Sequence, residues 1–486
     1  MIYVVTREQK LFESELYKVI TVEESLNLIK DWGIIQADSE TTGIDPHIDK
    51  LLCFQLGNRK YNTQIIIDCS TINIDLYKNK LENTWLVFHN GKFDLQFLYK
   101  HNIIPRKIYD TMIVEQLLYL GYPSGIITYN LKDVAYRRLN INIDKTVRGE
   151  IIWRGLDEKT ILYAAGDVMY LEDIMQAQVK ECKEKHCLVG AKLECDFVPV
   201  IAYLEWCGIK LDENKWKAKM IKDQENLNKA LKKLNDYCIN HPKLQKWVYQ
   251  ELQGDLFKGF NSDLQWSIDW QKNEAKLPIK ALGFNLDTIS KTTKKETESV
   301  TEKLLSNQKG IDDVFLELYF DYQGYYKVTT SFGQGHLNLI HPITGRLHTN
   351  YWQIGTASGR MSSGSGDNPS IAKIKKLPIS KVKMVNMQQL PHDKITRSCF
   401  VAEQGNLFCS CDYAAMEARI GAEVYNEKTL LDEFLYGSGD THAAYAKVVF
   451  SEELKDIAVK DIKKLRPDLR NKVKSVEFEV NKIFIF

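Results

Sequence analysis

No apolar run in the 486-residue sequence approaches the ~20 residues of a membrane-spanning helix. Its first residues, MIYVVTREQK, also lack the pattern of a secretion signal. Paired CxxC spacing is missing among the ten cysteines. Cys182 and Cys187 have no His or Cys partners at zinc-finger distances, and Cys409 and Cys411 flank a single residue, so reduced thiols in a cytoplasmic protein are expected. A charge surplus is lacking as well: 65 basic residues against 64 acidic ones leave a net charge of +1. That balance does not advertise a nucleic-acid partner, yet it can hide a basic channel beside acidic metal sites. Internal repeats of about 20 to 50 residues are absent. What is present is an ordinary globular composition, 44% hydrophobic and 27% charged, in a chain too long for a single core.

Three blocks follow one another. Up to about Gln178, β-type runs at Gly33 to Asp38, Leu51 to Leu56, Gln64 to Asp68 and Trp85 to His89 alternate with helical stretches such as Phe93 to Tyr99 and Thr111 to Leu120, which reads as an α/β domain. From Lys180 to about Thr330, Lys, Glu, Leu and Asn recur with helical periodicity and few strands suggest themselves; Lys291 to Lys309 is polar and expected to be exposed. From Gly345 onward Gly, Ser and Asn become frequent, and an apolar run, Leu407 to Asp412, reads as a strand. Composition alone would make Gly355 to Ser370 a linker.

Asp38 and Glu40 stand two apart at the end of a strand, so both carboxylates share a face and can reach one metal ion. His89-Asn90-Gly91-Lys92-Phe93-Asp94 is a turn entering a helix. In a helix expected from Asp157 to about Gln178, Tyr163 and Asp167 are four apart and project from one side. Singly, each pattern is commonplace and structural. Together, Asp-x-Glu, Asn-x-x-x-Asp and Tyr-x-x-x-Asp resemble the DEDD exonucleases of the tyrosine subclass over residues 33 to 178, with Asp110-Thr111 and Leu131-Lys132-Asp133 as subsidiary matches. The resemblance implies a ribonuclease-H-like sheet and 3′–5′ hydrolysis of DNA ends, with Asn90 toward the DNA. It also implies two divalent ions, Mg²⁺ or Mn²⁺, on Asp38, Glu40, Asp94 and Asp167, with Tyr163 orienting the attacking water. Hard cations about 3.5–4 Å apart prefer such oxygen ligands.

A second set of motifs begins at Arg346-Leu347-His348-Thr349 and continues through Thr356-Ala357-Ser358-Gly359-Arg360-Met361-Ser362-Ser363 to Asn386-Met387-Gln388. It resembles the segment of family A DNA polymerases that holds the primer-template, with Arg360, Ser362, Ser363, Asn386 and Gln388 toward DNA; Gly364 to Val385 is an expected insertion. Asp412-Tyr413-Ala414-Ala415-Met416-Glu417-Ala418-Arg419 looks like polymerase motif A, with Ala414 in place of the usual Ser. The resemblance makes Asp412 a metal ligand and Glu417 the residue that excludes ribonucleotides. Asp440-Thr441-His442 matches the start of the fingers, and Arg470, Lys474 and Phe478 recur every four residues as a helix face that would bind the incoming nucleotide. Past Phe478 the family's Tyr-Gly gives way to Lys482-Ile483, and the His-Asp-Glu motif with the second catalytic carboxylate does not occur. The expectation is a truncated polymerase site. An intron edge, a split gene or a frameshift would each account for it.

The expected whole is a phage-like family A DNA polymerase with a proofreading exonuclease. Residues 1–180 would form an α/β ribonuclease-H-like exonuclease domain, 181–340 a mostly helical thumb, and 341–486 a partial α+β palm and the beginning of the fingers. Partners would be primer-template DNA, single-stranded 3′ ends, deoxynucleoside triphosphates, and a second polypeptide or spliced segment completing the palm. The setting would be bacterial cytoplasm, including that of a phage-infected host. A stand-alone exonuclease with a DNA-holding palm remnant and a non-catalytic subunit of a split polymerase are the alternatives. Extension, shortening or mere binding of a primer-template separates the three.

Overall fold

The computed structural model describes residues 1–8, 14–123, 125–143, 149–255, 259–289, 295–364 and 366–473. The chain divides into two compact units, Met1–Gly405 and Asn406–Phe486. No helix among the described residues is long and apolar enough to cross a membrane.

The first unit begins with a seven-stranded mixed sheet in the order β2-β1-β5-β4-β3-β6-β7. Its strands are β1 (Ile2–Val5), β2 (Tyr17–Val19), β3 (Ile34–Thr41), β4 (Leu51–Asn58), β5 (Thr63–Asp68), β6 (Trp85–Phe88) and β7 (Ile108–Asp110). β3 pairs antiparallel with β4 and parallel with β6. Burial on both faces follows from the period of two. Ile35, Ala37, Phe54, Leu56, Ile65 and Ile67 enter one core beneath Leu95, Phe97 and Leu98 of the helix Gly91–Lys100. Val4, Cys53 and Ile66 face the other way, against Ile161, Ala164 and Ala165 of the helix Glu158–Met169.

Two differences from the expected elements matter here. β3 runs on through Ser39, Glu40 and Thr41, past the strand end expected at Asp38, because the antiparallel partner β4 continues its ladder to a bulge at Glu40/Thr41. The helix expected over Asp157 to Gln178 is two helices, Glu158–Met169 and Leu171–Glu184, meeting at Tyr170. At that joint the Gln36 side chain of β3 accepts a hydrogen bond from the Glu172 amide at 2.8 Å, satisfying a donor that a continuous helix would have used itself.

Beyond the long helix Leu188–Cys207, the helices Glu213–Asn240 and Asp313–Ser331 build a separate core from Leu227, Ala230, Leu234, Phe315, Leu316 and Tyr319. This region is less purely helical than its periodicity suggests. An antiparallel hairpin joins Val248–Asp255 to Gly259–Trp266, and a short one joins Asp287–Ile289 to Glu296–Glu298. Hairpins depend on cross-strand pairing, which helix-biased composition does not report. Within the polar stretch expected to be exposed, Leu305 is buried. The segment Ile209–Leu211 forms a small sheet with Arg346–Leu347 and Phe400–Val401. In the linker-like stretch, Tyr351–Trp352 pairs with Ser362–Ser363, and the expected insertion buries Ile371, Ala372, Val382 and Val385 beside Trp216 and Leu347.

In the second unit, helices Met416–Val424, Lys428–Leu435, Thr441–Val449 and Val459–Leu465 are described, with a core of Ala443, Ala446, Leu454, Ile462, Leu469 and Val473. The strand expected at Leu407 to Asp412 is not formed. No neighbouring strand among the described residues pairs with it, and Leu407 is 95% exposed. Apolar β-propensity does not make a strand without a ladder to join.

Candidate active site

Alternation along β3 sends Ile35 and Ala37 into the larger core, so Gln36, Asp38 and Glu40 take the opposite face. The helix Glu158–Met169 lies on that face. A capping box starts it, with the Thr160 amide donating to Asp157 at 2.9 Å and the Asp157 amide to the Thr160 hydroxyl at 2.8 Å. Ala164 and Ala165, both fully buried, let the helix approach the sheet closely. Asp167 therefore reaches the two strand carboxylates: one oxygen from each of Asp38, Glu40 and Asp167 lies within 4.8 Å of the others. Tyr163, one turn earlier, hydrogen-bonds Asp167. Burial, then the negative charge of Asp167 and Glu40, raises its phenol above the ordinary range, so it remains a proton donor at neutral pH.

Asp94 arrives from the other face of the sheet. Asn90 has a left-handed backbone (φ 68°) and opens the helix Gly91–Lys100. Gly91 is required there, because a Cβ would lie 2.6 Å from the Phe88 Cβ. The buried Asp110 carboxylate accepts from the amides of Asn90 (3.1 Å), Gly91 (2.7 Å), Met112 (2.9 Å) and Ile113 (3.2 Å), locking the turn and capping the helix Thr111–Leu118. Asp110 is thus a positioning group for Asp94. Asp94 lines the same cleft as Asp38, Tyr163 and Asp167 but stands outside the tight group of three. It accepts the Ser39 hydroxyl at 2.5 Å, Ser39 being on the odd-numbered face of β3.

Burial pushes the Asp94 carboxyl up to about 8, against the opposing hydrogen bond from Ser39. The folded value lies above the unfolded one near 4, so the folded chain holds the extra proton and loses stability as pH rises between them. Asp94→Asn is therefore expected to raise the metal-free melting temperature at pH 8 by several degrees, each kcal/mol being worth about 2–4 °C in a domain of this size. Near pH 4 the difference should vanish. Thermal denaturation in EDTA checks this, and an unchanged or lower melting temperature at pH 8 would refute it.

The cleft has a volume of about 830 Å³. Its remaining walls come from Ile44 and Phe93, from Gln116 and Tyr129 to Lys132, and from Trp352 far along the chain. Trp352 is held by the strand pairing above and by Lys92, whose ammonium bonds Glu205 and the Tyr351 carbonyl, both at 2.8 Å, and lies 5.1 Å from the indole centre. Sequence reading missed Ser39, which carries no motif of its own, and Trp352, for which no local signal exists.

Comparison with known proteins bears on both motif sets. The description "3'-5' exonuclease" matches residues 16–183, and "DNA polymerase family A" matches residues 273–481. The chain belongs to the family A DNA polymerases with a 3′–5′ exonuclease domain. It is 25% identical over 452 residues to DNA polymerase I of Aquifex aeolicus, covering 91% of this chain and 69% of that protein. It is 27% identical over 379 residues to DNA polymerase I of Chloroflexus aurantiacus, covering 75% and 35%. With the DNA polymerase of Escherichia phage T5 it shares 24% over 527 residues, covering 98% and 56%. The chain thus spans between about a third and two thirds of these relatives' lengths. In fold it is similar to the POL domain of Pol1 from M. smegmatis in complex with DNA primer-template and dNTP, with a TM-score of 0.65 at 17% identity, covering 94% of this chain and 69% of that one. Exonuclease and polymerase domains of this family depend on metal ions.

The polymerase motif residues fall in both units. In the first, the Ser363 hydroxyl is buried and hydrogen-bonds Asn386 at 3.1 Å, while Gln388 donates to the Met361 carbonyl at 3.0 Å, so the two family motifs are stitched together. Gly364 (φ 64°) permits this, since a Cβ would lie 2.0 Å from the Val385 carbonyl oxygen. Ser362 pairs with Trp352, and Arg360 is exposed at the end of the turn that Thr356 closes on its amide at 2.9 Å. In the second unit Asp412 is exposed ahead of the helix Met416–Val424, and Glu417 sits in that helix's first turn. His442 lies in the first turn of the helix Thr441–Val449, capped by Asp440. Arg470 bonds Asp440 at 2.9 Å, and against the upward push of burial this holds the Asp440 carboxyl below its usual range. Lys474 and Phe478 lie outside the described residues.

Proposed function

We propose that this chain trims single nucleotides from the 3′ ends of DNA as the proofreading part of a replicative family A polymerase. The observation that carries the reading is the convergence of Asp38, Glu40 and Asp167 within 4.8 Å beside Tyr163, in an open cleft. That donor set is all oxygen and negatively charged, which suits hard divalent cations and excludes a thiolate-type site. In this assignment Asp38, Glu40 and Asp167 hold two Mg²⁺ or Mn²⁺ ions, and Asp94 completes the set from across the strand. Such ions, when bound, neutralise phosphate charge and acidify water. The chain's own part is to place the strand end over these carboxylates and to orient the attacking water with the Tyr163 hydroxyl, itself aimed by Asp167. Tyr163 is what assigns the tyrosine subclass.

The remaining motif residues are assigned to synthesis: Asp412 to metal, Glu417 to exclusion of the 2′-hydroxyl, and His442, Arg470, Lys474 and Phe478 to the incoming nucleotide. Arg360, Ser362, Ser363, Asn386, Gln388 and Asn90 are assigned to DNA. Residues 1–180, 181–340 and 341–486 are then exonuclease, thumb, and palm with the first part of the fingers. A bacterial or phage-infected cytoplasm is the fitting setting.

The test is purified chain incubated with a 5′-labelled primer-template and Mg²⁺. A ladder shortening one nucleotide at a time from the 3′ end, suppressed by EDTA, is expected; an intact primer under excess Mg²⁺ or Mn²⁺ would overturn the proposal. In the same assay Tyr163→Phe should slow trimming by on the order of tenfold, the worth of one hydrogen bond that water partly replaces. A loss as deep as that of Asp38→Ala would give the phenol a larger part.

A further inference from the structure

The proposed exonuclease cleft is lined by Asp38, Asp94 and Asp167, with Glu40 beside them, and among its described lining residues one cation stands out, Lys132. Lys132 is the second residue of the helix Leu131–Leu139 and is exposed. Among the described residues its ammonium enters no ion pair or hydrogen bond. The neighbouring carboxylate, Asp133, makes its hydrogen bonds elsewhere, with the Thr128 hydroxyl and with the Asn130 amide group at 2.7 Å, and Lys132 acts on it only as the smallest of the nearby influences. The backbone that presents it is fixed. The Asn130 side chain caps the helix at the Asp133 amide (3.0 Å), His89 bonds the Tyr129 carbonyl at 2.9 Å, and Arg137 bonds the Thr128 carbonyl at 2.8 Å.

An unpaired ammonium on a rigid wall of an otherwise anionic cleft has a chemical meaning. A DNA strand brings one negative charge per nucleotide. The ions proposed above answer the charge of the phosphate being cut, but the next phosphate along the strand would still face the field of several carboxylates. Lys132 is carried by the helix Leu131–Leu139, an element separate from those that carry Asp38, Asp94 and Asp167, and lines the same cleft with Tyr129 and Gln116. Resting on the exonuclease reading, we infer that Lys132 is a positioning residue that binds the phosphate adjacent to the scissile one and so sets the register of the strand end over the metal-binding carboxylates.

The experiment compares wild type, Lys132→Gln and Lys132→Arg on a single-stranded oligonucleotide with Mg²⁺, over a range of salt. For Lys132→Gln, KM should rise about tenfold with kcat changed less than about threefold, and the slope of log(kcat/KM) against log salt should fall by about 0.7, the value for one phosphate contact on a single strand. Lys132→Arg should restore most of the loss, because it keeps the charge. Melting temperatures within a degree or so of wild type would show that the substitutions leave the fold alone, as expected at an exposed position. The inference is overturned if Lys132→Gln keeps the wild-type KM and salt slope, if kcat falls while KM is unmoved, or if arginine does no better than glutamine. Absence of trimming by wild type would instead sink the exonuclease reading itself, so the two failures are distinct.

Discussion

Asp38→Ala and Asp167→Ala are each expected to cut 3′-end trimming by on the order of 10²- to 10³-fold or more, since even a slight misplacement of reacting groups costs about a hundredfold. Asp38 and Asp167 approach one point from a strand and a helix, and removing either leaves the metal-binding group of three with two members. The fold should not suffer. Neither side chain packs in an apolar cluster, and deleting one of several crowded carboxylates relieves repulsion. The metal-free melting temperature should therefore hold or rise, and affinity for single-stranded DNA measured in EDTA should hold as well. The check is primer shortening, melting temperature and DNA binding on the same preparations. Near-full metal-dependent trimming by the Asp38→Ala, Asp167→Ala double variant would remove this site from consideration.

Glu115→Ala is expected to cost about 3–5 kcal/mol, the usual penalty for removing one partner of a buried ion pair. Glu115 is fully buried on the helix Thr111–Leu118 and accepts from Arg137 (2.7 Å), Arg138 (2.8 Å) and Gln178 (2.8 Å). Both guanidinium groups lie over the Tyr119 ring, 5.1 and 5.7 Å from its centre. Without the carboxylate, two cations would be left facing each other with only Glu181 to answer Arg138. A melting temperature lower by about 6–20 °C is expected at roughly 2–4 °C per kcal/mol. Glu115→Gln keeps the shape and part of the hydrogen bonding, so it should fall between. Because Arg137 also fastens the Thr128 carbonyl, the cleft wall from Tyr129 to Lys132 should loosen, and KM for DNA should rise along with the loss of stability. Calorimetry showing Glu115→Ala within two degrees of wild type would mean that the network is solvated and idle.

The two predictions sit at opposite ends of what sequence reading can reach. Asp38, Glu40, Tyr163 and Asp167 were legible because spacings of two on a strand and four on a helix are local rules, set by the backbone alone. Glu115 was invisible, since a glutamate in a helix reads as a solvated face until the helix is packed. The strand at Leu407 to Asp412 went the other way: its composition promised a strand that the structure does not form, for want of a neighbour to bond with.

By itself the sequence determined the kinds of chemistry available: carboxylates at strand and helix spacing, an Asn-Gly turn ahead of Asp94, and two ordered sets of motifs that name a family. Periodicity is a short-range property, and it survives without knowledge of the fold. Only the tertiary structure decided which of those groups meet. Alternation on β3 sends Asp38 and Glu40 to the face covered by Asp167, and Ser39 to the opposite face, where its hydroxyl bonds Asp94. Trp352 and Lys132 become walls of the same cleft although Trp352 is far from the other lining residues in sequence. Such meetings depend on strand register and on which face each helix covers, quantities settled by the packing of the whole core rather than by any one stretch of chain.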